Sequence, residues 1–242
     1  MPAMQTSSSS SVIVPQLALF PTHARRRTTF DVQAFSRPAR AFTGDFYVTY
    51  KHDDRLWFAV GDVSGKGINA AVVMAMIQEE LEHRISSCAN AGCDPAVTMA
   101  RLHEFLRPLL PANKFASAVI GYAADDGHLV VANAGHPSPI IVRRDGSTDL
   151  VESTGPVVGI LPTARWRSAI RILGRGETLV LYSDGVIEAE SPDGCQFGID
   201  GLLHVARPGN AEVVANAIVG AVDAHEAGAR SDDMTLVVVR RA

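Results

Sequence analysis

The chain has 242 residues, 47% of them hydrophobic and 20% charged, the balance of an ordinary globular protein with length enough to bury a core. Its formal charge of −4, from 22 basic and 26 acidic side chains, offers no basic surface that would recommend nucleic acid as a partner. No apolar stretch approaches the roughly 20 residues needed to span a bilayer. The run from Val12 to Phe20 contains Pro15 and has its arginines, Arg25 to Arg27, on the wrong side for a signal peptide, so the chain reads as cytoplasmic with no membrane partner.

Residues 1–28 open on a serine run, Ser7 to Ser11, and have little periodicity, which predicts a loosely ordered N-terminal arm. One domain is expected over residues 29–242. Strands are predicted at Phe30 to Phe35, Asp45 to Tyr50 and Leu56 to Val60. A buried helix follows from Ile68 to Ile85. A second runs to about Leu106, with Asp94 as its N-cap and Pro95 at the first helical position. Further strands are expected at 116–122, 129–132, 140–143, 168–172 and 178–183, with Asp126-Gly127 and Asp145-Gly146 as hairpin turns that imply antiparallel pairing. Helices at 201–205 and 211–225 and a closing strand at 235–239 complete an α+β chain. The three cysteines, Cys88, Cys93 and Cys195, are an odd number with no C-x-x-C spacing, and predict incidental thiols rather than a disulfide framework or zinc site.

The stretch Gly61-Asp62-Val63-Ser64-Gly65-Lys66-Gly67 fits neither a phosphate loop nor a nucleophile elbow. The first needs four residues between its glycines and a hydroxyl after the lysine; the second needs serine midway between two glycines. What stands out is Asp62 at the end of an apolar strand. Asp184 ends another such run, Asp232-Asp233 precede a third, and Asp45 begins a strand. Any one of these is ordinary turn or cap chemistry. Four strand ends carrying carboxylates that converge would repel one another, and hard cations such as magnesium or manganese would hold them together.

Five motifs occur in order: Thr43-Gly44-Asp45-Phe46-Tyr47, the stretch at 61–67, Asn133-Ala134-Gly135-His136-Pro137, Tyr182-Ser183-Asp184-Gly185-Val186-Ile187-Glu188-Ala189 and Asp232-Asp233-Met234-Thr235. Together they resemble the metal-dependent PPM-type serine/threonine phosphatases, in the bacterial branch named for stage II sporulation protein E and sigma-factor regulation. The resemblance covers about Phe30 to Arg240. It implies an α-β-β-α sandwich of two mainly antiparallel sheets, with two Mn2+ or Mg2+ ions at the sheet edges. Asp62 resembles the bridging carboxylate, Val63 would offer its backbone carbonyl, and Asp184 and Asp232 resemble the other ligands. Asp45 resembles the residue that binds or orients metal-bound water, and Asp233 fills a position where relatives carry aspartate or asparagine. Val48 stands where relatives often have a second aspartate, which leaves an ancillary third metal in question.

The activity so implied is hydrolysis of phosphoserine or phosphothreonine in a protein by a metal-bridging hydroxide, in bacterial signalling such as sigma-factor regulation. The substrate class includes a phosphorylated anti-sigma-factor antagonist, and control would come from a separate regulatory partner, from oligomerisation or from metal availability. Arg37 and Arg40 are candidates for steadying the phosphate, with plain surface arginines the equal alternative. Lys66 is expected to face solvent, and Gly65 and Gly67 to turn the chain into the helix at Ile68. His136 can be read as a general acid or, better, as a turn residue before Pro137. Two other readings stay open: a catalytically inactive module that keeps the fold, and a phosphohydrolase of small molecules.

Overall fold

The computed structural model describes residues 29–39, 41–65, 67–87, 93–228, 230 and 232–242; the expected arm at 1–28 lies outside them. Among the described residues the order is β1 (Phe30–Arg37), β2 (Asp45–His52), β3 (Arg55–Val63), α1 (Ile68–Ser87), α2 (Pro95–Leu106), β4 (Ala116–Ala124), β5 (His128–Ala134), β6 (Ile140–Val142), β7 (Thr148–Leu150), β8 (Ala169–Ile172), β9 (Thr178–Tyr182), α3 (Asp184–Ile187), α4 (Gly198–Val205), α5 (Ala211–Glu226) and β10 (Met234–Arg241). The strands form two five-stranded sheets, β1-β10-β9-β6-β7 and β2-β3-β4-β5-β8, and every neighbouring pair in them is antiparallel.

Strand alternation divides the apolar residues into three layers. On the outer face of the second sheet Val48, Trp57, Ala59 and Ile120 pack with Ile77 and Leu81 of α1 and Met99 and Leu102 of α2. On the outer face of the first, Val180, Tyr182, Leu236 and Val238 pack with Leu202 of α4 and Val214 and Ile218 of α5. Between the sheets lie Phe58, Val60, Val119, Leu129, Leu179, Leu181, Val237 and Val239. This is the expected α-β-β-α sandwich. Its central strands are buried on both faces, so they read as continuous apolar runs rather than alternating ones.

The helix starts are those the sequence predicts. Asp94 accepts from the Ala96 amide at 2.7 Å with Pro95 in the first turn, and Asn210 caps α5 by accepting from Val213 at 2.7 Å. Both Asp-Gly pairs close hairpins, their carboxylates accepting from the amides of His128 and Ser147. Two elements were not expected: β7, whose Asp149 and Leu150 are exposed, and the single turn of α3. The cysteine reading is corrected, since Cys93 is disulfide-bonded while Cys195 is free; neither spacing nor count signals such a bond. Among the described residues no helix is long and apolar enough to cross a membrane.

Candidate active site

Followed toward one end of the sandwich, the inter-sheet layer changes from apolar to polar. On β2 the residue two before Tyr47 is Asp45; on β3 Phe58 and Val60 give way to Asp62, and on β4 Val119 gives way to Ser117. From the facing sheet, Leu179 and Leu181 lead to Ser183, and Val239 and Val237 to Thr235. Period-two alternation thus aims all five side chains into one mouth. Asp45 is the register partner of Asp62, and Asp62 that of Ser117. Asp184 opens α3 directly after Ser183, and Asp232-Asp233 precede β10.

Gly185 explains how the two acidic segments of the first sheet approach. A Cβ there would lie 1.9 Å from the Asp233 carbonyl oxygen, so only glycine lets the β9–α3 corner abut the Asp232-Asp233 backbone. Ser183 fastens the same junction, its hydroxyl donating to the Asp233 carbonyl at 3.3 Å and accepting from the Thr235 amide at 2.9 Å.

Electrostatics follow from the geometry. Burial holds the Asp45 carboxyl well above its ordinary range; the Ser183 and Thr235 hydroxyls counter this in part, and Asp62 and Asp233 add to it. Asp62 is pushed up to about 7, by burial first and then by the charges of Asp184 and Asp232, while the Val63 amide draws it down. Glu188, not singled out as a site residue in the sequence, joins the cluster: burial, Asp184 and Asp232 raise it. Its acidic side chain one turn after Asp184 was the available signal.

These residues suit a hard cation. Asp45 Oδ2 is buried with no hydrogen-bond partner. Asp62 Oδ1 and the Val63 carbonyl oxygen both face the space beside Gly44, where a Cβ would meet them at 2.6 and 2.9 Å. An all-oxygen donor set fits magnesium or manganese. Among the described residues, however, no three His, Cys, Asp or Glu side chains stand close enough to hold an ion as placed.

The other expected residues fall as follows. Asp233 ties down the segment before β2, its two carboxylate oxygens accepting from the amides of Ala39 at 2.7 Å and Gly44 at 3.3 Å. Arg37 does not join the site: it lies on the α5 side of β1, where its guanidinium pairs with Asp223 and, at 3.1 Å, with Glu226. Arg40 and Lys66 lie outside the described residues. Gly65 and Gly67 have φ of +112° and +86°, as the expected turn requires. Val48 faces away from Asp45, in the layer beneath α1, so a carboxylate at this position would enter the core and not the mouth. His136 is buried, and that burial pushes it down to about 3; its amide donates to Asn133 Oδ1 at 2.9 Å in the turn before Pro137.

The chain belongs to the Stage II sporulation protein E (SpoIIE) family, whose model matches residues 52–242. It is 27% identical over 230 residues to phosphoserine phosphatase RsbU of Bacillus subtilis (strain 168), covering 93% of this chain and 68% of that protein. Among solved structures, the RsbU and RsbW domains of Rv1364c from Mycobacterium tuberculosis superimpose with a TM-score of 0.71 at 25% identity, over 88% of this chain and 60% of that one. The PP2C phosphatase domain of SpoIIE from Bacillus subtilis gives 0.75 at 19% identity, over 87% of this chain and 63% of that one, a likeness of fold. The chain thus spans about two thirds of RsbU but only 38% of protein IcfG of Synechocystis sp. and 40% of phosphoserine phosphatase RsbP of Bacillus subtilis.

Proposed function

We propose that this protein is a divalent-metal-dependent phosphatase of phosphoserine or phosphothreonine in proteins. The observation that carries this reading is the cross-strand pair of buried Asp45 and half-buried Asp62, raised in pKa and bordered by the charges of Asp184, Asp232 and Asp233. Such a cluster alone repels a phosphate dianion, so its chemistry requires cations. Asp45, Asp62, Asp184, Asp232 and the Val63 carbonyl would hold two Mn2+ or Mg2+ ions, with Asp233 a candidate beside them. Two such cations activate a water and neutralise the phosphoryl oxygens.

The chain's own contribution is placement. Asp233 keeps Gly44 against Asp62 through its bond to the Gly44 amide, and Gly44 leaves room for the Asp62 and Val63 oxygens. Ser183 and Thr235 steady Asp45 from the opposite sheet. The name of RsbU, phosphoserine phosphatase, supports the substrate class. The pairing of RsbU and RsbW domains in Rv1364c supports a role in sigma-factor signalling, with a phosphorylated anti-sigma-factor antagonist as substrate and a separate partner as regulator.

The test is release of phosphate from a phosphoserine peptide panel with Mn2+, with and without chelator. Stoichiometric metal binding without turnover would favour an inactive module, and turnover of nucleotides but not peptides a small-molecule phosphohydrolase. Acid quench of a radiolabelled reaction should recover no protein-bound phosphate. Ser183 is fully buried and bonded at both ends, unsuited to act as a nucleophile.

A further inference from the structure

Beyond the mouth, the chain leaving β3 and the chain entering β4 stay paired. Val63 is the register partner of Ala116. Ser64 then exchanges two bonds with Phe115, its amide donating to the Phe115 carbonyl at 2.9 Å and its Oγ accepting from the Phe115 amide at 2.9 Å. One step further, Gly65 meets Lys114. A Cβ at Gly65 would lie 2.8 Å from Lys114 Nζ, so glycine is what lets this half-buried lysine lay its ammonium against the loop. Gly65 follows Asp62 closely in the chain, and the backbone between them spans at most about 11 Å.

Among the described residues no carboxylate pairs with Lys114, whereas Arg37, Arg84, Arg101 and Arg143 each have an acidic partner. Beside the ammonium lies a cavity of about 150 Å³, with Val73, Leu110 and Pro111 as apolar lining and Ser64, Asn69 and Lys114 as polar lining. It is well below the roughly 300 Å³ at which small-molecule pockets begin, and its scale is that of one side chain. Apolar walls suit methylene groups. An ammonium has donors and no acceptor, so it suits a carboxylate and repels a cation. Glutamate has both parts, an aliphatic stem and a carboxylate.

We propose that this cavity is a substrate subsite receiving a glutamate side chain about two or three residues from the phosphorylated residue, with Lys114 as the residue that sets the preference. The inference rests on the phosphatase reading above. An extended peptide advances about 3.3 Å per residue, so one whose phosphate sits at the Asp45–Asp62 mouth brings such a residue to the Gly65–Lys114 contact. Lys114 also offers a cation to the substrate that Arg37 does not, since Arg37 is engaged by Asp223 and Glu226.

The test is a set of phosphoserine peptides, assayed with Mn2+, that carry glutamate, glutamine or lysine at about two or three residues to either side of the phosphoserine. Wild type is expected to favour glutamate over glutamine by about 10-fold in kcat/KM at one of these places, the difference lying in KM. In Lys114→Gln the ratio should fall to about one, and in Lys114→Glu lysine should become the favoured residue. Lys114→Arg, which keeps the charge, should keep the preference. A lysine that only braces the loop would, when replaced, slow all the peptides alike and leave their ratios as in wild type; that result overturns the proposal. So does a wild type that does not distinguish glutamate from glutamine, a comparison that needs no variant to fold. A wild type that releases phosphate from no peptide overturns the phosphatase reading along with this one, whereas an active wild type indifferent to glutamate overturns this one alone.

Discussion

Asp45 and Asp62 face each other across β2 and β3 as register partners, two carboxylates set side by side at the buried end of a sheet. Cross-strand like charges are destabilising, and burial sharpens the conflict. Their retention together therefore points to a counter-charge supplied from outside the chain.

Asp62→Asn and Asp184→Asn should each lower Mn2+-dependent hydrolysis of an aryl phosphate by at least about 100-fold, with circular dichroism unchanged. Each also removes a repelling charge, so neither should unfold more readily than wild type in chelator at pH 8. Full activity in either variant would remove the metal reading.

The metal-free protein should show opposing pH slopes. Asp62, raised from 3.8 to about 7, binds its proton more tightly folded than unfolded; its stabilisation is complete below about pH 4 and is lost as pH rises through 7. Asp45 has the same sign. His136, lowered from 6.5 to about 3 by burial, acts the other way: its contribution is complete above 6.5 and is lost as pH falls through 3. Between pH 4 and 6.5 the terms compete. In chelator, urea midpoints of Asp62→Asn should therefore climb with pH more steeply than those of wild type; parallel curves would refute the assignment.

Val48→Asp places a carboxylate beneath α1 among Trp57, Ile77 and Leu81. It should cost about 3 kcal/mol or more, read as a lower urea midpoint, without tighter Mn2+ binding. A stable variant that binds metal better would show that this face reaches the site.

Arg37→Ala should leave KM for a phosphopeptide unchanged and reduce stability by about 3 kcal/mol, because it strands the buried carboxylate of Glu226. A raised KM with undiminished stability would return Arg37 to the substrate.

The aspartates at strand ends were legible because a charge closing an apolar run is conspicuous, and Asp-Gly pairs fixed two hairpins. Sheet membership was not. No local signal says that Asp45 and Asp62 lie on one sheet and Asp232 on the other, since that depends on β10 pairing with β1 from the far end of the chain. Arg37 failed as a phosphate ligand for the same reason: its partners on α5 are 186 and 189 residues away. Ser117 carried no signal, because a lone serine at a strand start gains meaning only from its register with Asp62. Val48 was misplaced by motif position, where counting side-chain alternation from Asp45 puts it on the opposite face.

The polar mouth draws its carboxylates from both sheets, Asp45 and Asp62 from one and Asp184 and Asp232 from the other. The sandwich is thus apolar between its sheets and ends, at one edge, in like charge. On the proposed reading a cation bound there would act as a clasp between the two sheets. Cation supply would then bear on cohesion as well as chemistry: in chelator, amide protons at the starts of β2 and α3 should exchange sooner than those of mid-β3 and mid-β10.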